Sequence, residues 1–214
     1  MPGDTTGGED QDLFVHDRHN GTTRRVSIGL GGAEANGTSF DPALSADGRF
    51  VVFNSGASNL VPGDTNGTND VFLHDLQTGA TRRVSRGLGG AEADGASFEP
   101  AISADGRIVA FTSFASNLVL GDTGIASDVF VSDSHTGRIR RVSVGPGGIE
   151  GNSTSAQPSI SADGRVVAFS SRASNLVPAT DTNELFDVFV RLLARPSRIA
   201  RRPRGRSGFR PLAA

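Results

Sequence analysis

A repeat of 58 residues runs through the chain and limits what it can fold into. The segment Ser-Ala-Asp-Gly-Arg stands at 45–49, 103–107 and 161–165. DLFVHD (12–17) returns as DVFLHD (70–75), DVFVSD (128–133) and DVFVRL (187–192). RRVS stands at 24–27, 82–85 and 140–143, and ASNLV at 57–61, 115–119 and 173–177. GLGGAEA, at 29–35 and 87–93, decays to GPGGIEG at 145–151. A period of this length marks a repeat architecture, in which each unit buries its apolar faces against its neighbours.

Each unit reads as four short strands. The first lies around PALS (42–45). Ala46-Asp47-Gly48 turns the chain, with Gly48 free to take the positive φ of a tight hairpin. The second strand is FVVFNS (50–55), echoed by IVAFTS and VVAFSS. These runs are apolar without strict alternation, so both faces are expected to be buried. DVFLHD (70–75) is the third strand, and Thr78-Gly79 turns it into the fourth, ATRRVS (80–85). The Arg pair places this last strand at an outer, partly wet edge. The 28 Gly among 214 residues, near twice the usual share of about 7%, are turn chemistry renewed with every unit. Four antiparallel strands per unit, apolar on both faces, predict an all-β fold of propeller blades. A stacked β-helix competes, but its repeats are much shorter.

The pattern P-x-[LI]-S-A-D-G-R-x-V-x-F-x-S … D-V-F-[LV]-x-D-x-x-T-G-x-x-R-R-V-S resembles the WD40-like propeller repeat of TolB-type proteins, over residues 12–190. The resemblance implies a binding or scaffolding propeller and no particular reaction. Two segments depart from it by length. ASNLVPGDTNGTN lengthens the connection between strands two and three, and RGLGGAEADGASFE lengthens the link between units. Such long-looped units resemble those of secreted or cell-envelope bacterial proteins, the compartment implied for the parental family. The first ten residues, MPGDTTGGED, show neither the basic nor the apolar stretch of a secretion signal.

The repeat also divides the chain. Residues 1–40 hold strands three and four of one blade and an inter-blade loop. Residues 41–98 and 99–156 are whole blades, 157–190 hold strands one to three, and 191–214 are an Arg-rich tail expected to be disordered. That makes about three and a quarter blades, or about 13 strands, against at least ~16 for a four-blade ring. Met1-Pro2-Gly3-Asp4-Thr5 matches Val61-Pro62-Gly63-Asp64-Thr65 with Met in place of Val. Leu192 stands where Asp75 and Asp133 do, and no R-R-V-S follows it. All 21 basic residues are Arg, which suits a GC-rich genome, where false GTG starts and shifted frames give such ends. The expectation is a fragment of a longer propeller gene. Its rival is a short protomer whose half-blade pairs with strands of a second copy. Unpaired blade edges predict self-association in either case.

Composition narrows the function classes. The formal charge of −2 averages two unlike parts, because residues 191–214 hold eight Arg and no acid. Such a tail gives at most nonspecific, salt-dependent attraction to nucleic acid. Phe209 is its one aromatic, so base stacking is poorly served and no specific nucleic-acid partner is expected. The absence of Cys excludes disulfides, thiolate zinc sites and thiol nucleophiles. The longest apolar runs are four residues, as at 50–53, so no membrane span is expected.

The residues most suited to ligand chemistry precede strand three. GDTNGTND (63–70) offers Asp64, Asn66 and Asp70. Its equivalents offer Asp122 and Asp128, then Asp181, Asn183 and Asp187, and in the first unit Asp4 and Asp12 at wider spacing. Oxygen ligands at alternate positions around a Gly turn suit Ca²⁺, and the loop resembles the calcium loops of integrin-type propellers. Each loop has two or three side-chain oxygens where Ca²⁺ takes about 6–8 ligands, so the competing reading is Asx-turn chemistry without metal.

Other polar groups read as structural. His16 and His74 share one repeat position, and His19 and His135 another, so each pair is split between blades. They are read as solvent-facing. No G-x-S-x-G elbow is present, and GLGGAEA lacks the G-K-[ST] of a phosphate loop. Glu92 and Asp94 lie in a Gly-rich loop expected to be solvated, which does not raise a carboxyl toward acid catalysis. The expected function is a non-enzymatic binding or scaffold module that recognises a protein or glycan through its loops, with Ca²⁺ as the one cofactor candidate. The alternatives are a piece of a cell-envelope hydrolase or lyase propeller, or a nonfunctional gene remnant.

Overall fold

A computed structural model describes residues 11–178, 182–183 and 185–193. Asp4, Asp181 and residues 194–214 of the Arg-rich tail lie outside these residues, whereas Arg191 and Leu192, read from the sequence as the start of that tail, are the last two residues of a strand. The first sheet pairs β1 (Phe14–Asp17) with β2 (Thr22–Arg25). The second runs β3 (Ser39–Leu44), β4 (Phe50–Ser55), β5 (Asp70–Asp75), β6 (Thr81–Arg83). The third runs β7 (Ser97–Ile102), β8 (Ile108–Ser113), β9 (Asp128–Asp133), β10 (Ile139–Arg141). The fourth runs β11 (Ser155–Ile160), β12 (Val166–Ser171), β13 (Asp187–Leu192). Each is an antiparallel meander, and the sheets pack face to face in chain order as the blades of a partial propeller.

Three clusters of buried side chains fill the spaces between blades. Val52, Val71, Leu73 and Val84 of the second sheet meet Val109, Phe111 and Phe130 of the third. The other face of the second sheet, with Val51, Phe53 and Phe72, takes Val26 of the first unit. Ala110, Val129, Val131 and Val142 of the third sheet meet Val167 and Phe169 of the fourth. Covered on both faces, β4 and β5 are buried almost end to end. At the far end of the stack, β13 alternates between half-buried and exposed. Coverage by neighbours, not strand sequence, sets the difference.

Strand one differs from the sequence reading. It begins at Ser39 rather than Pro42, because its ladder with β4 shifts between Phe40 and Ala43. Asp41 lies inside that bulge with φ 52°, and Glu99 and Gln157 do the same in later units with φ 53° and 55°. Each precedes a Pro, which as a non-donor needs such a break in the ladder. Glu99 uses the bend: its Oε2 accepts from Thr112 Oγ1 at 2.8 Å and from the Gln157 amide at 2.8 Å, tying blade three to blade four.

The meander sorts the connections by end. The turns joining strands one to two and three to four lie at one end and are short. Gly48 adopts φ 68° and Gly79 φ 74°, as their turns require. Neighbouring turns are linked there, Ala46 N donating to Ala104 O and Ala104 N to Ala162 O. Arg49 closes the same end of blade two on Asp75, with contacts of 3.1 and 2.7 Å. Both long loops of the second and third units therefore share the opposite end.

Candidate functional site

The acids before strand three gather around a guanidinium. Arg83 Nη1 lies 3.3 Å from Asp64 Oδ1, 3.0 Å from Asp70 Oδ2 and 3.0 Å from Glu92 Oε1. Arg141 Nη1 lies 3.2 Å from Asp122, 3.0 Å from Asp128 and 2.7 Å from Glu150. In the first unit Arg25 meets Asp12 at 3.0 Å and Glu34 at 2.9 Å. The Arg comes from strand four, one Asp from the start of strand three and another from the loop before it. The Glu comes from the link to the next blade.

The cluster is built into the backbone around it. Ser85 Oγ donates to Asp70 Oδ1 at 2.5 Å and accepts the Val71 amide at 3.0 Å. Ser143 and Ser27 do the same for Asp128 and Asp12. Arg141 also donates to Gly121 O at 2.9 Å. Glu92 accepts both the amide and the hydroxyl of Thr65, at 2.7 and 2.6 Å, and so fastens one long loop to the other.

These contacts correct two expectations. The second Arg of RRVS is not at a wet edge: the side chains of Arg83 and Arg141 are each 7% exposed. Nor is Glu92 a free loop acid, since it pairs with the buried Arg83 while its own side chain stays 29% exposed. The signal in the sequence was Glu34, Glu92 and Glu150 keeping one register with RRVS. His74 is also buried rather than solvent-facing, because the first sheet covers that face of β5. Its Nδ1 lies 2.9 Å from Thr81 Oγ1, and burial pushes its pKa down. His16, on the end sheet, stays exposed.

The remaining predicted site residues fall into turn roles. Asn66 turns its nitrogen, not its oxygen, toward Asp70 Oδ2, at 3.1 Å, while its Oδ1 accepts from Thr68 N. Asn183 makes the same pair of bonds with Asp187 and Leu185 N. The carboxylates of Asp122, Asp128 and Glu150 each place an oxygen within 4.8 Å of the others. Arg141 Nη1 lies within 3.2 Å of all three. That donor set fits Ca²⁺ only if the guanidinium leaves, since a hard cation needs those oxygens for itself.

Charge is unevenly shared within each cluster. Burial, with help from the facing Asp70 carboxylate, pushes Asp64 up to about 6 against the pull of Arg83. Asp122 is likewise pushed up to about 6, mainly by burial. Glu92 is held at about 2, first by its bonds from Thr65 and then by Arg83. The sign for stability follows by linkage. The folded chain keeps the Asp64 and Asp122 protons in a window, from their ordinary 3.8 up to about 6, where the unfolded chain has released them. The stability they confer is full below that window and lost as pH rises through it. Glu92 acts oppositely: its contribution is present above 4.5 and lost as pH falls toward about 2. Asp64 and Asp122 are thus expected to push the melting temperature up from about pH 7 to about pH 5. The buried His74, whose pKa is lowered, acts in the opposite sense as pH falls below 6.5, and Glu92 pulls the melting temperature down below about pH 4. Calorimetry across that range checks it. The double variant Asp64→Asn/Asp122→Asn is expected to flatten the rise, and an unchanged slope would contradict the assignment.

No family model and no curated protein matches this sequence. Solved structures of similar shape include TolB from Acinetobacter baumannii, with TM-score 0.47 and 22% identity over 85% of this chain and 35% of that one. The tricorn protease gives TM-score 0.49 and 20% identity over 76% of this chain and 13% of that one. An oligogalacturonate lyase in complex with manganese gives TM-score 0.47 and 12% identity over 87% and 42%. The chain thus spans less than half the length of each. Its own four antiparallel sheets, with their shared register and interleaved cores, make it an all-β partial propeller.

Proposed function

We propose that this chain is a non-enzymatic propeller module of the TolB type that binds a protein or glycan through its long loops. The observation that carries the reading is the gathering of both long loops of the second and third units at one end, tied to each other and to their neighbours. Asn59, Asn117 and Asn175 donate to the carbonyls of Glu34, Glu92 and Glu150 at 2.7, 2.7 and 2.8 Å. Asp94 accepts from the amide and hydroxyl of Ser116 at 2.7 Å each. Loops held in one shape lose little entropy on binding, and loops on a rigid scaffold are the usual seat of recognition. Their tips are aliphatic: Leu30, Leu88 and Ile149 are exposed, as is Leu120, and Ile125 is 97% exposed. Aliphatic tips favour a protein surface over a sugar. In this reading the guanidinium clusters hold the loops, the role a metal would otherwise fill.

Arrays of envelope glycans and envelope proteins, probed with the full chain, test it. The double variant Leu88→Asp/Ile125→Asp is expected to weaken the captured ligand at least about tenfold, as loss of apolar contact at an interface does, with the melting temperature unchanged. Undiminished binding would move recognition away from these loops.

A further inference from the structure

In the fourth sheet the outward edge of β13 carries no strand among the described residues. Blades two and three show what that edge is shaped to receive. Their fourth strand delivers three side chains in succession. Arg83 sets its guanidinium on Asp70 at 3.0 Å. Val84 joins the buried face of Val71 and Leu73, its amide donating to Val71 O at 2.7 Å. Ser85 bridges Asp70 Oδ1 and the Val71 amide. Arg141, Val142 and Ser143 repeat the set on Asp128 and Val129.

The receiving half is intact on β13. It pairs with β12 from Asp187↔Ser171 to Leu192↔Val166, the register in which β5 pairs with β4. Asp187 thus takes the place of Asp70, Val188 that of Val71 and Val190 that of Leu73. Asn183 donates to Asp187 at 3.1 Å, as Asn66 does to Asp70 at the same distance. Val188 and Val190 are 75% and 65% exposed, where Val71 and Leu73 are buried. In this register Ala200, Arg201 and Arg202 stand where Arg83, Val84 and Ser85 do, so the following sequence does not repeat the set. The chain's own Arg-Val-Ser at 25–27 is already bound to Asp12 in the first sheet.

We propose that the β13 edge binds an extended segment of another polypeptide carrying Arg-Val-Ser. Main-chain bonds along this edge supply affinity, and side-chain sites supply choice. Asp187 pairs with the Arg, the exposed Val188 and Val190 face takes the Val, and Asp187 with the Val188 amide takes the Ser hydroxyl. Charge complementarity commits the first position, and the loss of exposed apolar surface the second. The site lies on a strand edge, apart from the long-loop tips, so its failure and that of the loop reading are separable.

The probe is an end-capped, fluorescent peptide with the sequence of residues 80–87, ATRRVSRG, titrated into the full chain and followed by anisotropy. Saturable 1:1 binding is expected. Gln at the peptide's Arg83 position, or Ala at its Ser85 position, is expected to weaken it about tenfold, the loss of one charge-assisted hydrogen bond. Asp187→Asn in the protein is expected to erase the preference for Arg over Gln. Hydrogen exchange is expected to slow at residues 188–192 when peptide is bound. A scrambled peptide binding equally well would reduce the effect to net charge and overturn the proposal. So would slowed exchange elsewhere, or no saturation by about 1 mM. Self-association of the chain with no peptide uptake would give the edge to a second copy and overturn it too.

Discussion

Arg83→Met is expected to destabilise the chain by about 3–5 kcal/mol, the range for removing one partner from a buried ion set. Arg141→Met should lose a similar amount. The reason is what stays behind. Asp64, Asp70 and Glu92 all lie within 3.3 Å of one guanidinium nitrogen, and no other cation faces all three among the described residues. Without it, three carboxylates repel one another, and two of them, Asp64 and Asp70, are almost shut off from water. Urea unfolding measures the loss, and adding Asp64→Asn should recover part of it. Arg25→Met should cost less, since the Arg25 side chain is 20% exposed. Millimolar Ca²⁺ should raise the melting temperature of Arg141→Met, in which Asp122, Asp128 and Glu150 keep oxygens within 4.8 Å of one another without the guanidinium, and leave that of the unaltered chain unmoved. A loss below about 1 kcal/mol, the scale of an exposed pair, would show that water already meets these acids.

The second large effect depends on position in the stack rather than residue type. Phe14, Phe72, Phe130 and Phe189 occupy one repeat position. Phe72 and Phe130 are fully buried and stack on Phe53 and Phe111, with ring centroids 5.8 and 5.9 Å apart. Replacing either by Ala should cost about 3–5 kcal/mol through lost burial and the cavity left. Phe14 sits on the uncovered face of the first sheet, 43% exposed, and Phe14→Ala should cost about 1 kcal/mol or less, as partial burial dictates. Phe189, stacked on Phe169 at 5.9 Å in the last sheet, should fall between. Denaturant titration of the four variants reads the gradient. Equal losses at all four positions would mean that the end sheets are covered in solution.

The strands and short turns were legible because their causes are local. The apolar runs at 50–55 and 70–75 and the turn glycines at 48 and 79 state their roles within a few residues, and the strands form where expected. The clusters were not legible, because their causes are not local. Arg83 reads as a wet-edge residue until Glu92 folds back over it from nine positions on, held by Thr65 at a separation of 27. His74 reads as exposed until the neighbouring sheet is laid on β5. The bulge at Asp41 was missed for a different reason. A residue before Pro favours extended backbone, and only the ladder's need to step past Pro42 selects the left-handed alternative.

Glu34, Glu92 and Glu150 belong to the links that lead out of a blade, not to the blade whose Arg they meet. This ordering matters to a chain made from its N-terminus. As the polypeptide leaves the ribosome, Asp64, Asp70 and Arg83 emerge before Glu92. The last carboxylate arrives only when the nascent chain has turned toward the next sheet. Each blade's ionic closure is thus coupled to the start of its successor, and the fold can be laid down vectorially, one unit locking as the following one begins.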